Sequence, residues 1–152
     1  ACPHLLIDSD GAIMLSEWVK ETYISAVVYS TPSLYYVNMF HDGVAFDEKS
    51  MKALGALLDL SGKKTDGAAI CRQSGNWQLV SKGRVTAECF DGTAVFVYDG
   101  KGAFYIFSWE EGALSLPTYD YSFQNLPENC GLREGTLEID VEAGRVYRLD
   151  VL

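Results

Sequence analysis

Arg84-Val-Thr-Ala-Glu-Cys-Phe-Asp-Gly-Thr-Ala-Val-Phe-Val-Tyr-Asp-Gly-Lys-Gly-Ala-Phe-Tyr-Ile-Phe-Ser-Trp109 carries the strongest structural signal in the chain. Three apolar runs, Arg84 to Cys89, Thr93 to Tyr98 and Gly102 to Trp109, are rich in β-branched and aromatic residues. Asp91-Gly92 and Asp99-Gly100 separate them, and both dipeptides favour the left-handed conformations of tight hairpin turns. The pattern predicts an antiparallel meander.

On its N-terminal side, Ala68 to Arg72 and Trp77 to Ser81 extend the meander, and Ala113 to Leu116, after Glu111-Gly112, extends it on the other. Past a loop at Leu126 to Gly131, the strands Gly135 to Val141 and Arg145 to Val151 alternate apolar with charged residues, so each buries one face and wets the other. Upstream, Leu5-Leu6-Ile7 and Ala12 to Leu15 flank Asp8-Ser9-Asp10-Gly11 and predict a hairpin; Ser33 to Phe40 reads as a strand closed by the turn His41-Asp42-Gly43. The clearest helix runs over 48–60. Asp47 is its expected cap, Phe46 staples onto Met51, Met51, Leu54, Leu57 and Leu58 form its buried stripe, and Gly62 is expected to end it in a left-handed conformation. A second helix is expected in 16–28, whose later part, Tyr-Ile-Ser-Ala-Val-Val-Tyr, has strand-like composition. The fold class is therefore α+β and β-rich: an antiparallel meander forming a sandwich or strongly curled sheet in one globular domain over 1–152.

A chain 48% hydrophobic and 22% charged has enough apolar content for a core, and no run of about 20 apolar residues would span a membrane. The net charge of -9 opposes nucleic acid and anionic lipid, and is unevenly spread. Residues 67–88 carry an excess of two bases, whereas residues 89–131 carry an excess of five acids.

Four cysteines, Cys2, Cys71, Cys89 and Cys130, contain no C-x-x-C pair, so the usual zinc and thioredoxin spacings are missing. Three pairings are open; Cys71 with Cys89 and Cys2 with Cys130 are favoured, against the alternative of four reduced thiols. With Ala1 suiting the residue after a signal cleavage site, these cysteines suggest a periplasmic or secreted setting.

Catalytic patterns are sparse. Leu6 to Glu17 places Asp8, Asp10, Gly11, Ile13 and Glu17 like parts of a calcium loop, but Leu6 stands where the first carboxylate ligand belongs. His4 and His41 are the two histidines, and no nucleophile elbow, phosphate-cradling glycine loop or zinc-protease motif occurs. A Cys71 or Cys89 nucleophile with His41, or a glycosidase pair among Glu110, Glu111, Asp120, Glu128 and Asp140, has nothing to fix its geometry. Neither an enzyme nor a cofactor is expected.

Aromatic residues are more informative: nine of the 19 fall between Phe96 and Phe123. In Phe104 to Trp109 both faces are apolar, so that strand is either central to a two-layer fold or meets a partner. Thr118-Tyr119-Asp120-Tyr121-Ser122 alternates tyrosine with polar groups, a composition common on recognition surfaces. Trp109, Glu110, Glu111, Tyr119, Asp120 and Tyr121 are the expected binding residues. The expected function is a non-catalytic protein-binding module, an acidic inhibitor or immunity-type protein whose partner is basic. Carbohydrate or small-ligand binding on exposed aromatic residues is the alternative. Cys71 to Cys89 resembles the cysteine-bracketed strand pair of cyanovirin-type lectins, with looser spacing and without that family's glycine- and asparagine-rich remainder. The resemblance implies sugar binding beside Trp77, Trp109 and the tyrosines.

Overall fold

The computed structural model of the chain describes residues 5–7, 13–15, 17–29, 40–41, 44–45, 48–65 and 68–152. There are two small hairpins: the first stands where its turn chemistry predicts it, and in the second His41, expected in the turn, is a strand residue paired with Val44. β1 (Leu5–Ile7) pairs with β2 (Ile13–Leu15), and β3 (Phe40–His41) pairs with β4 (Val44–Ala45). The remainder of the Ser33 to Phe40 strand, the Asp47 cap and the Phe46 staple lie outside the described residues.

Helix α1 (Glu17–Tyr29) runs on through the strand-like segment. Tyr23, Ile24, Val27 and Val28 are at most 7% exposed and fall on one helical face. Burying that face outweighs the weak strand preference of its β-branched residues. Helix α2 (Glu48–Ser61) buries Ala53, Leu54, Leu57, Leu58 and Leu60. Gly62 does not take the expected left-handed conformation. The helix ends instead by tightening, with Gly62 N–H donating to Leu58 O at 3.2 Å and Lys63 N–H to Leu60 O at 3.0 Å.

The meander forms as β5 (Ala69–Gln73), β6 (Asn76–Ser81), β7 (Arg84–Phe90), β8 (Ala94–Tyr98) and β9 (Ala103–Ser108), each antiparallel to the next. β10 (Gly112–Pro117) then leaves for a second sheet. β11 (Phe123–Gln124) returns to the edge of the first, β12 (Cys130–Arg133) and β13 (Thr136–Val141) join the second, and β14 (Val146–Val151) closes on β9. The seven-stranded order is β11-β14-β9-β8-β7-β6-β5, and the three-stranded order is β10-β13-β12. β12 begins inside the stretch expected as loop, Leu126 to Gly131, and β11 stands in a stretch with no expected element; both are short, and Gly131 breaks the apolar alternation of β12.

Three layers result. One face of the seven-stranded sheet offers Ala87, Cys89, Val95, Val97, Phe107 and Trp109 to α1 and α2. The other offers Phe96, Phe104, Ile106, Leu149 and Val151 to Leu116, Leu137, Ile139 and Val141 of the three-stranded sheet. β9 lies between β8 and β14 with both faces covered, which is why its sequence is apolar on both sides. Phe96 and Phe104 stack at 4.6 Å between the sheets. A side chain of that size contributes roughly 1.5–3 kcal/mol by leaving water.

Candidate functional site

The loop after β10 closes on itself at Thr118 to Tyr121, where Tyr121 N–H donates to Thr118 O at 2.8 Å. Its two central residues, Tyr119 and Asp120, have φ of 45° and 66°. Both are left-handed, the signature of a type I′ turn. Four other two-residue turns share that conformation, and in each the second residue is glycine: Ser74-Gly75, Lys82-Gly83, Asp91-Gly92 and Glu134-Gly135. Here a tyrosine and an aspartate stand instead, at a cost of about 1–2 kcal/mol per residue.

The contacts of Tyr119 hold the turn in place. Its hydroxyl donates to the Glu88 carboxylate, and its ring lies 5.9 Å from Phe96. Glu88 is 4% exposed, and the same carboxylate oxygen accepts from Gln78 Nε2 at 2.8 Å. Register explains the meeting, because Gln78 of β6 pairs with Glu88 of β7, and Cys71 of β5 pairs with Gln78. The three side chains therefore share one face of the sheet. The Cys71 thiol lies 3.7 Å from Gln78 Oε1. Burial, the bond to Glu88 and the Glu88 charge together push the Tyr119 hydroxyl well above the usual tyrosine range, while Gln78 acts slightly the other way.

The six expected binding residues divide. Trp109 is 8% exposed and sits in the helix-facing core, its Nε1–H donating to Lys20 O at 2.8 Å. Tyr121 is 5% exposed, donates to Val85 O at 2.8 Å, and lies under the Arg84 guanidinium at 3.6 Å. Burial raises its hydroxyl to about 12, with Arg84 pulling the other way. These two aromatics are therefore structural, since each satisfies its one polar atom inside the protein. They also lie on opposite faces of the seven-stranded sheet, so they cannot form one platform. Glu110, Glu111 and Asp120 are exposed, and Tyr119 is half-buried between core and surface.

Glu110 and Glu111 belong to a larger surface. Between Glu110 and Glu142 the chain has eight carboxylates and one base, Arg133. All eight are exposed. Glu138 and Asp140 alternate on β13 with the buried Leu137, Ile139 and Val141, so they project from the outer face of the three-stranded sheet. Glu138 has the small Ser115 and Gly131 across from it, while Asp140 has Ala113 on one side and Asn129 on the other, whose backbone and side chain bond the Asp140 main chain. Gly112 pairs with Val141, which brings Glu110-Glu111 and Glu142 out at the same end of that sheet. Among the described residues, Glu142 with Arg145 at 3.2 Å is the one ion pair these eight make.

A polar cleft of about 390 Å³ lies on the helix side of the seven-stranded sheet, between α1 and the turns at Ser74-Gly75 and Asp91-Gly92. Trp77, Asn76, Arg72, Glu21 and Ser25 line it, with Cys89 also on its wall. The Arg72 guanidinium lies 4.9 Å from the Trp77 ring and covers part of it.

Cys71, Cys89 and Cys130 are free thiols. The expected Cys71–Cys89 bridge does not form, because β6 runs between their strands and the two side chains project to opposite faces. Two strand spacings are about 9.5 Å, beyond the roughly 7 Å that a disulfide tolerates. Cys2, the expected partner of Cys130, lies outside the described residues. Among the described residues no three His, Cys, Asp or Glu side chains group as a metal site, and no helix is long and apolar enough to cross a membrane.

Sequence reasoning passes over Glu88, Gln78 and Arg84. The available signal is a glutamate set inside a strand that is otherwise apolar, between Ala87 and Cys89. No family model, no curated protein and no solved structure matches this chain.

Proposed function

We propose that this protein is a non-catalytic binding module of the inhibitor or immunity type, which docks a basic partner protein through the outer face of its three-stranded sheet. One observation carries the reading. Glu138 and Asp140 project from the outer face of the three-stranded sheet, Glu110, Glu111 and Glu142 emerge at one end of it, and among the described residues only Glu142 of these five is paired, with Arg145. Such a face repels itself, and like charges left uncompensated are explained by a partner that neutralises them. Of the residues that suggested binding in the sequence, Glu110 and Glu111 border this face, and Trp109 and Tyr121 support the fold from within.

The test is affinity capture of proteins from an extract of the source cells, with two variants run beside the native chain. In the first, Glu110→Gln, Glu111→Gln, Glu138→Gln and Asp140→Asn are combined. In the second, three exposed acids elsewhere, Glu48, Asp59 and Asp91, are neutralised. The partner should be retained by the native chain and the second variant, and lost from the first. Equal retention by the first variant would overturn the reading.

A second reading, small-ligand or carbohydrate binding, is favoured by the Trp77 cleft, which combines an aromatic ring with Asn76, Glu21 and Arg72. Retention on polysaccharide resin that survives high salt and is lost on Trp77→Ala supports it over the first.

A further inference from the structure

We propose that the Glu88 niche is a receptor for one cationic side chain of the partner, a guanidinium, entering between Cys71 and the Tyr119 turn. This rests on the reading of the protein as a binder of a basic partner and adds a named anchor point to it.

Glu88 is 4% exposed, yet among the described residues it makes no ion pair. Both hydrogen bonds it receives, from Gln78 and Tyr119, fall on one oxygen. The other oxygen has no partner among the described residues, and it is not sealed in either. Among those residues the one enclosed side-chain polar atom lacking a hydrogen bond is Ser61 Oγ. A buried carboxylate balanced by neutral donors alone leaves a strong and directional demand for a cation.

The surroundings favour a guanidinium. Gln78 Oε1 is a second acceptor on the same sheet face, with the Cys71 thiol as its weak neighbour at 3.7 Å. The half-buried ring of Tyr119 borders the carboxylate and offers a surface on which a planar cation stacks. A guanidinium carries several donors in one plane and sheds water more readily than an ammonium, so it can address both acceptors and the ring together. Cys71 and the whole of β5 are exposed, which leaves the approach from that edge uncovered among the described residues. The glycine-free turn at Tyr119-Asp120 gains a purpose here, because its unfavourable backbone sets the tyrosine against the carboxylate. Asp120, next in the turn, is an exposed carboxylate.

The experiment uses ethylguanidinium as the probe and the Gln78 side-chain amide resonance as the reporter, at low salt. A saturable shift is expected in the native protein, with affinity falling at least about tenfold in Glu88→Gln. It should be unchanged in the Glu48→Gln/Asp59→Asn double variant, which neutralises exposed acids of α2. Because Glu88→Gln perturbs the core, Cys71→Arg provides a second line on an exposed site. Its tethered guanidinium should occupy the niche and abolish probe binding. A shift that does not saturate, equal affinity in Glu88→Gln, or unaltered probe binding in Cys71→Arg would each overturn the proposal. Butylammonium binding as tightly as ethylguanidinium would overturn the choice of cation. Failure of the probe with partner capture intact removes the niche alone, whereas probe binding with partner capture unaffected by the surface variants removes the docking face alone.

Discussion

Tyr119 and Glu88 stand 31 residues apart in sequence, and the tyrosine hydroxyl donates to the buried carboxylate. That one bond ties the turn after β10, at the start of the outer layer, to β7 in the middle layer. Removing the hydroxyl leaves Gln78 as the remaining donor to Glu88. Tyr119→Phe is expected to cost about 1–3 kcal/mol, since a hydrogen bond to a buried charged group is lost. In a double-mutant cycle with Glu88→Gln, urea denaturation should show a coupling on the order of 1 kcal/mol. Strict additivity would mean that the two groups do not interact in solution.

The two turn tyrosines also predict an alkaline transition. Tyr119 is raised above its usual range and Tyr121 is raised to about 12, in both cases chiefly by burial. A raised folded value means that the neutral phenol is favoured by the fold. The resulting stability is fully present below the ordinary tyrosine value of about 10 and is lost as pH climbs through the folded values. Absorbance titration should show two phenols ionising late, with stability declining above about pH 10. Replacing both with phenylalanine should remove the late-titrating phase.

The strained turn gives a prediction of opposite sign. Asp120 sits at φ 66°, the position that glycine fills in the four sister turns. Asp120→Gly should therefore stabilise the protein by up to about 1 kcal/mol, read as a higher urea midpoint. A lower midpoint would show that the Asp120 side chain contributes more than its backbone costs.

The thiols should separate by reactivity. Cys71 is exposed, whereas burial shields Cys89 and pushes its thiol up. Under native conditions iodoacetamide should modify Cys71 quickly and Cys89 only on unfolding. A peptide map prepared without reductant should show no Cys71–Cys89 crosslink. Recovery of that crosslink from freshly purified protein would contradict the strand order β5-β6-β7, in which β6 holds the two cysteines apart.

The meander is legible because its turns carry their own chemistry. Asp91-Gly92 marks the β7–β8 hairpin in the sequence itself, and both residues are left-handed in the structure; Asp99-Gly100 marks the next turn, where of the two only Gly100 is left-handed. The doubly apolar alternation of Phe104 to Trp109 leaves a central strand and a partner-facing one both open, and the place of β9 between β8 and β14, covered on both faces, makes it central. What stays hidden depends on contacts distant in sequence. Trp109 reads as a surface anchor because the acceptor of its indole N–H, Lys20 O, lies 89 residues away. Tyr121 reads as poor core material for the same reason, because Val85 O and Arg84 are remote in sequence. The carboxylates of β13 can be read as outward-facing from their alternation with Leu137 and Ile139. That they share a surface with Glu110 and Glu111 follows only from the pairing of β10 with β13.

The electrostatic character of the docking face is measurable directly once the partner has been captured. The dissociation constant should be determined between about 50 and about 300 mM salt, a range over which screening of exposed charges tightens strongly. For the native chain, affinity is predicted to fall at least about tenfold across this range. The variant neutralised at Glu110, Glu111, Glu138 and Asp140 is predicted to bind weakly and with little dependence on salt. A dissociation constant unaffected both by salt and by those four substitutions would contradict docking through this face.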